Sequence, residues 1–198
     1  VDREYAFGRI SEGGSGKHVG KGARSRIWDQ HALILRAADY YVESRKSEKE
    51  WRKLDDLAPQ LAEFDLRCSA GDYDTAAALL IDIYYDYLKL WGHYNLVIDL
   101  FINIKDKIQD SDLQMACLGA LGGSYAAIGM FEKAIDLYQQ GMFIANRVQS
   151  REDQAIILGN MGGIYRKMGE TEKAIDINEK NLSFWEEAGN GSHKKTSF

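Results

Sequence analysis

The chain predicts an all-α fold, a solenoid of helical hairpins, on three observations. First, Leu118-Gly119, Gly122-Gly123, Tyr125, Gly129 and Glu132-Lys133-Ala134-Ile135-Asp136 recur forty residues on as Leu158-Gly159, Gly162-Gly163, Tyr165, Gly169 and Glu172-Lys173-Ala174-Ile175-Asp176. Repeats of about twenty to fifty residues mark solenoids. Second, apolar residues keep helical spacing on both sides of the middle glycine: Leu118, Leu121, Tyr125 and Ile128 before Gly129, then Phe131, Ala134, Ile135, Tyr138 and Met142 after it. Third, the chain has a single proline, which suits helices.

The small residues predict how the helices meet. Glycine inside a helix costs roughly 1 kcal/mol relative to alanine, so the paired glycines imply close approach of a neighbouring helix. Ala134 and Ala174 are the expected facing residues. Gly129 and Gly169 fall where each first helix must stop and reverse, a place for left-handed backbone.

This pattern of Leu, Gly, Tyr, Gly and Ala resembles the tetratricopeptide repeat, in the forty-residue spacing of families similar to kinesin light chain and the LGN-type scaffolds. The resemblance covers about residues 113–190. It implies a right-handed superhelix whose concave groove is lined by the first helices and binds a protein or peptide.

The other elements follow in chain order. Val1–Ile10 has a short helical pattern with Tyr5, Ala6 and Ile10 on its apolar side, and 11–26 is a glycine-rich, basic linker carrying Lys17, Lys21, Arg24 and Arg26. Its Gly-Lys pairs do not make a phosphate loop. Only three residues separate Gly16 from Gly20, Lys21 is followed by Gly22, and no strand precedes. A helix is expected over 26–45, with Ile27, His31, Ile34, Ala38, Tyr41 and Val42 on one face. Ser47 and Glu50 suggest a capping box opening a helix over 48–70, in which Pro59 forces a kink or restart at Leu57-Ala58. Gly71–Asp74 is read as a turn with Asp74 as the next cap, followed by helices over 74–90 and 94–109 around Trp91-Gly92-His93. The tyrosines between Tyr84 and Tyr94 fit core packing better than an aromatic platform. Helices near 113–128, 131–148 and 153–188, the last broken at Gly169, complete the array, and residues 191–198 read as a tail with no polar capping helix before them. The organisation is thus 1–26 preceding region and linker, 27–112 joining segment, 113–190 two repeats, 191–198 tail.

Composition narrows the function. Forty-five per cent apolar and 28% charged is a globular balance. The net charge of −5 gives no reason to expect nucleic acid, although residues 1–27 carry six basic and three acidic groups against ten and seventeen in 28–112. Cys68 and Cys117, without a CxxC or Cys/His grouping, read as reduced core thiols in a cytoplasmic protein. No apolar run approaches the ~20 residues of a membrane span. The first ten residues are too charged for a secretory signal, and a start at Val1 rather than methionine predicts a piece of a longer chain. His18, His31, His93 and His193 stand apart, no Gly-x-Ser-x-Gly occurs, and carboxylates fall at turns and on helix faces. No enzyme, metal or cofactor is expected.

Leu57–Phe64, Ala70-Gly-Asp-Tyr-Asp74 and Tyr87–Tyr94 resemble the segment that joins the ATPase core to the repeat sensor in bacterial STAND-class (NB-ARC or NACHT type) signalling ATPases, and Arg3-Glu4-Tyr5-Ala6 is similar to the end of their winged-helix region. That resemblance implies a sensing and protein-binding arm. No Walker motif stands in this chain, so it implies no nucleotide chemistry here.

In repeat proteins that clamp an acidic carboxy-terminal peptide, the groove carries asparagine and lysine at set places. Here those places hold Gly119, Gly123, Gly159 and Gly163, and only Lys167 matches, which argues against such a clamp. Asn160 matches the asparagine with which forty-residue families hold a peptide backbone, and Ala120 replaces it in the preceding repeat. Asn160, Arg166 and Lys167 are therefore the candidate peptide-binding residues, although all three also fit solvated helix surface. The alternative is an assembly scaffold with no peptide ligand, which stacks through its last repeat on a second copy or on further repeats.

Overall fold

A computed structural model describes residues 30–194, with side chains described as far as Ser183. The expected short helix at 1–10, the linker at 11–26 and the last four residues of the expected tail lie outside the described residues. The helices are α1 (Gln30–Glu43), α2 (Ala58–Ala70), α3 (Tyr73–Ile83), α4 (Tyr94–Ile102), α5 (Ser111–Ala127), α6 (Phe131–Arg147), α7 (Arg151–Met168) and α8 (Thr171–Lys194). The described residues contain no strand. The pairs α1–α2, α5–α6 and α7–α8 form hairpins, α3 packs on α2 and α4 on α5, and α3 also touches α5 while α5 touches α7. That every-second-helix contact is how a solenoid forms a continuous inner wall.

Glycines close the hairpins as expected. Gly129 and Gly169 sit at φ +82° and +79°, and Gly71 and Gly92 take the same left-handed form at the earlier turns. Polar caps open the inner helices. Asp110 accepts from Asp112 N and Leu113 N at 2.9 Å to start α5, and Ser150 accepts from Asp153 N at 3.3 Å to start α7. Leu57, Leu80, Leu88, Val97, Phe101 and Leu121, all fully buried, form the spine of one core running from the joining segment into the repeats.

On the expected face of α1, Ala38 is buried and Ile34 and Tyr41 half-buried, whereas His31 and Val42 are exposed. Arg67 locks this first hairpin to α3: its guanidinium donates to Asp39 at 3.1 Å, Glu63 at 3.0 Å and Asp72 at 3.1 Å.

Several expectations are corrected. Residues 48–57 are not helical continuation but two short 3₁₀ turns, Glu48–Glu50 and Leu54–Leu57. Ser47 makes no capping bond. The competing partner is Asp56, whose carboxylate takes Arg52 N at 3.0 Å, Lys53 N at 3.2 Å and the Lys46 ammonium at 2.8 Å, fixing a tight turn in place of a helix. Regular helix begins at Ala58, with Pro59 in the first turn, where its missing N–H costs nothing. The cap of α3 is Asp72, bonded to Thr75 N at 3.4 Å. Asp74 instead accepts from Gln109 N at 2.8 Å and Asp110 N at 3.4 Å, tying the start of α3 to the loop before α5. The helix expected over 74–90 is α-helical only to Ile83 and then widens into a π turn, Tyr84–Leu88, and α4 ends at Ile102 rather than 109. The tail expected after 190 is helical to Lys194. Glycines at 189 and 191 each weaken a helix by roughly 1 kcal/mol, but no proline interrupts its backbone ladder.

Candidate functional site: the inner groove

Gly122 and Gly162 are buried, as are Ala134 and Ala174, as the repeat pattern requires. The atoms facing the glycines differ from expectation. A methyl at Gly122 would stand 2.9 Å from Cζ of Tyr138, and one at Gly162 would collide with Asn178 Oδ1. Tyr138 and Asn178 hold the same place in the two copies. The ring and the carboxamide lie one turn beyond the alanines, so the alanines seat the second helix while these longer side chains cover the glycines.

The neighbouring glycines have a different effect. At Gly123 a methyl would approach Tyr84 Oη to 3.1 Å and Tyr138 Oη to 3.6 Å, so this glycine leaves space for two phenols. At Gly163 a methyl would meet nothing within 4 Å, so here the absent side chain leaves open space. Two adjoining cavities of about 740 and 310 Å³ occupy the inner face. They share Tyr84, Lys89, Gly123, Tyr138 and Asn160 among their lining residues and together form one groove.

Asn160 therefore stands where the two halves meet, with its side chain exposed. Arg166 and Lys167, both exposed, line the smaller half together with Lys89 and Tyr94. The structure thus brings all three sequence-derived candidates to one groove. The opposite half is lined by Asp112, Glu152 and Asp153 from the first turns of α5 and α7.

The wall from the π turn comes from tyrosines that the sequence assigns to core packing in preference to an aromatic platform. Tyr84 is buried and Tyr85 half-exposed at 47%, their rings edge-on with centroids 4.8 Å apart. The Lys89 ammonium lies 5.8 Å from the Tyr85 ring centroid. Core packing correctly describes Tyr84, but Tyr85 and Tyr94 also face the groove. Burial pushes the phenols of Tyr84, Tyr85 and Tyr138 above their usual range, so they remain neutral hydroxyls at the groove floor. A tyrosine cluster around a helix end was the only sequence signal for this wall.

Among the described residues no group of three or more His, Cys, Asp or Glu side chains could hold a metal ion, and no helix is long and apolar enough to cross a membrane. No curated protein matches the chain. Residues 116–152 and 157–187 match the family model of the tetratricopeptide repeat, so the hairpins α5–α6 and α7–α8, whose first helices line this groove, are similar to a repeat that binds proteins and peptides.

Proposed function

We propose that the inner groove is a protein-interaction site that takes an extended peptide, with Asn160 pairing to its backbone and Arg166 and Lys167 receiving an acidic side chain. One observation carries this reading. Asn160 is exposed at the junction of the two cavities and, among the described residues, its carboxamide makes no hydrogen bond within the chain. A carboxamide both donates and accepts, so it can meet a peptide carbonyl and N–H together. The groove floor of neutral phenols and glycine gaps suits a backbone lying close to the wall.

The test is titration of a peptide selected on the folded chain against Asn160→Ala and Lys167→Ala. Loss of the amide weakens binding by roughly 1–3 kcal/mol by leaving peptide polar groups unpaired. Loss of the lysine costs less than about 1 kcal/mol and fades with salt. A folded Asn160→Ala that binds as tightly as the parent refutes the reading.

The resemblance of residues 57–94 to the joining segment of STAND-class ATPases supports placing this array as the sensing arm of a cytoplasmic signalling ATPase, with no catalysis or cofactor of its own. A reading frame encoding an ATPase core immediately before the joining segment is the observation that checks it.

A second reading, a scaffold stacking on another copy, draws support from α8, where Ile175 is 52% and Leu182 59% exposed. Light scattering after size-exclusion chromatography decides it. A mass of one chain at every concentration counts against self-assembly.

A further inference from the structure

The two ends of the groove carry opposite charge. Arg166 and Lys167 stand at one end, Asp112 and Glu152 at the other, and Lys89 lines both halves. Among the described residues none of these five side chains is paired with an opposite charge in the chain. Resting on the groove reading above, we infer that the ligand is a charge-polarised extended segment, with an acidic residue at the Arg166–Lys167 end and a basic residue at the Asp112–Glu152 end.

The helix dipole accounts for part of the pattern, since it favours acids in the first turns of α5 and α7 and bases in the last turn of α7. It does not account for Lys89. That residue follows the π turn, outside both helices, and lines the smaller cavity with Arg166 and Lys167 as well as the larger one. Three unpaired cations from two separate elements around one cavity repel one another, and an anionic group between them relieves that repulsion.

Helix geometry sets the spacing. Glu152 and Lys167 lie on one helix, so at a rise of about 1.5 Å per residue they stand roughly 22 Å apart along its axis. An extended chain covers about 3.3 Å per residue. The ligand's basic and acidic residues are therefore about six or seven positions apart.

The probe is a random dodecapeptide library displayed on phage and selected against the parent chain, an Asp112→Asn/Glu152→Gln variant and an Arg166→Gln/Lys167→Gln variant. All four positions are exposed, and circular dichroism checks folding. The parent is expected to enrich peptides with base and acid about six or seven positions apart. The first variant loses the enrichment for the base, and the second loses it for the acid. Synthetic copies of the parent's peptides bind each variant up to about fivefold more weakly at low salt, and the difference shrinks as salt rises. A Glu152→Lys/Lys167→Glu exchange, which keeps total charge, enriches peptides with the charge order reversed relative to the central residues, and serves if a neutralised variant fails to fold. Enrichment without this spacing, or identical in all variants, overturns the polarity and leaves the groove. No enrichment on the parent overturns the groove reading and the polarity together.

Discussion

Gly122 of α5 lies against the ring of Tyr138 of α6, so closely that a single added methyl would stand 2.9 Å from Cζ and 3.1 Å from both Cε atoms. Tyr138 is 4% exposed and cannot swing away. At the equivalent Gly162 the nearest obstacle is the end of Asn178, an exposed residue free to rotate.

The two glycines should therefore answer alanine differently. Gly122→Ala forces Tyr138 out of place and should destabilise by about 1–3 kcal/mol despite the better helix propensity of alanine. Gly162→Ala should be neutral or stabilising by up to about 1 kcal/mol once Asn178 turns aside. Gly162→Leu should cost roughly 1–3 kcal/mol, because the longer side chain also reaches Ile177, whose Cγ2 is 3.5 Å from the added Cβ. Urea unfolding of the three variants measures this. Equal effects of the two alanine substitutions would count against it.

Asp56 sets the acid behaviour of the joining segment. The Lys46 ammonium, followed by the N–H groups of Arg52 and Lys53, holds its carboxyl down at about 2. The folded value is below the unfolded one of 3.8, so this carboxylate contributes stability that is present above about pH 4 and lost as pH falls towards 2. The stability gap between the parent and Asp56→Asn should be constant near neutrality and shrink across that window. A gap that is the same at pH 2.5 and pH 6 contradicts the assignment.

Burial raises both thiols, Cys68 to about 11 and Cys117 to about 12. At pH 8 almost no thiolate exists in the folded chain. Iodoacetamide should then modify Cys68, which is half-buried, slowly, and Cys117, which is fully buried, only after denaturant is added. Rapid modification of both in the folded chain would contradict the packing around α2 and α5.

The repeats were legible because each copy writes its turns and crossings in glycine and alanine, and because one copy checks the other. That Asn160, Arg166 and Lys167 share one groove was legible for the same reason, since they lie on a helix whose register the repeat fixes. The opposite wall was not. Tyr84, Tyr85 and Lys89 come from outside the repeated unit, and a π turn shifts their direction away from what a period of 3.6 predicts. The 48–57 stretch misled for a local reason. Ser47 and Glu50 match a capping pattern, but the three bonds to the buried Asp56 outweigh it. Asp72 and Asp74 are both placed to cap α3, and only the three-dimensional approach of the loop before α5 decides that Asp74 is drawn to Gln109.

The central claim is that ligands lie along the inner wall formed by the π turn, α5 and α7. Amide chemical-shift mapping of the ¹⁵N-labelled chain during titration with a selected dodecapeptide tests it most directly, since groove glycines report on a ligand at the wall. The account predicts that the largest shifts fall on Gly119, Gly123, Gly163 and the Asn160 side-chain amide, with Lys89 following. Shifts concentrated instead on the outer helices α6 and α8, around Phe143 and Leu182, would contradict it.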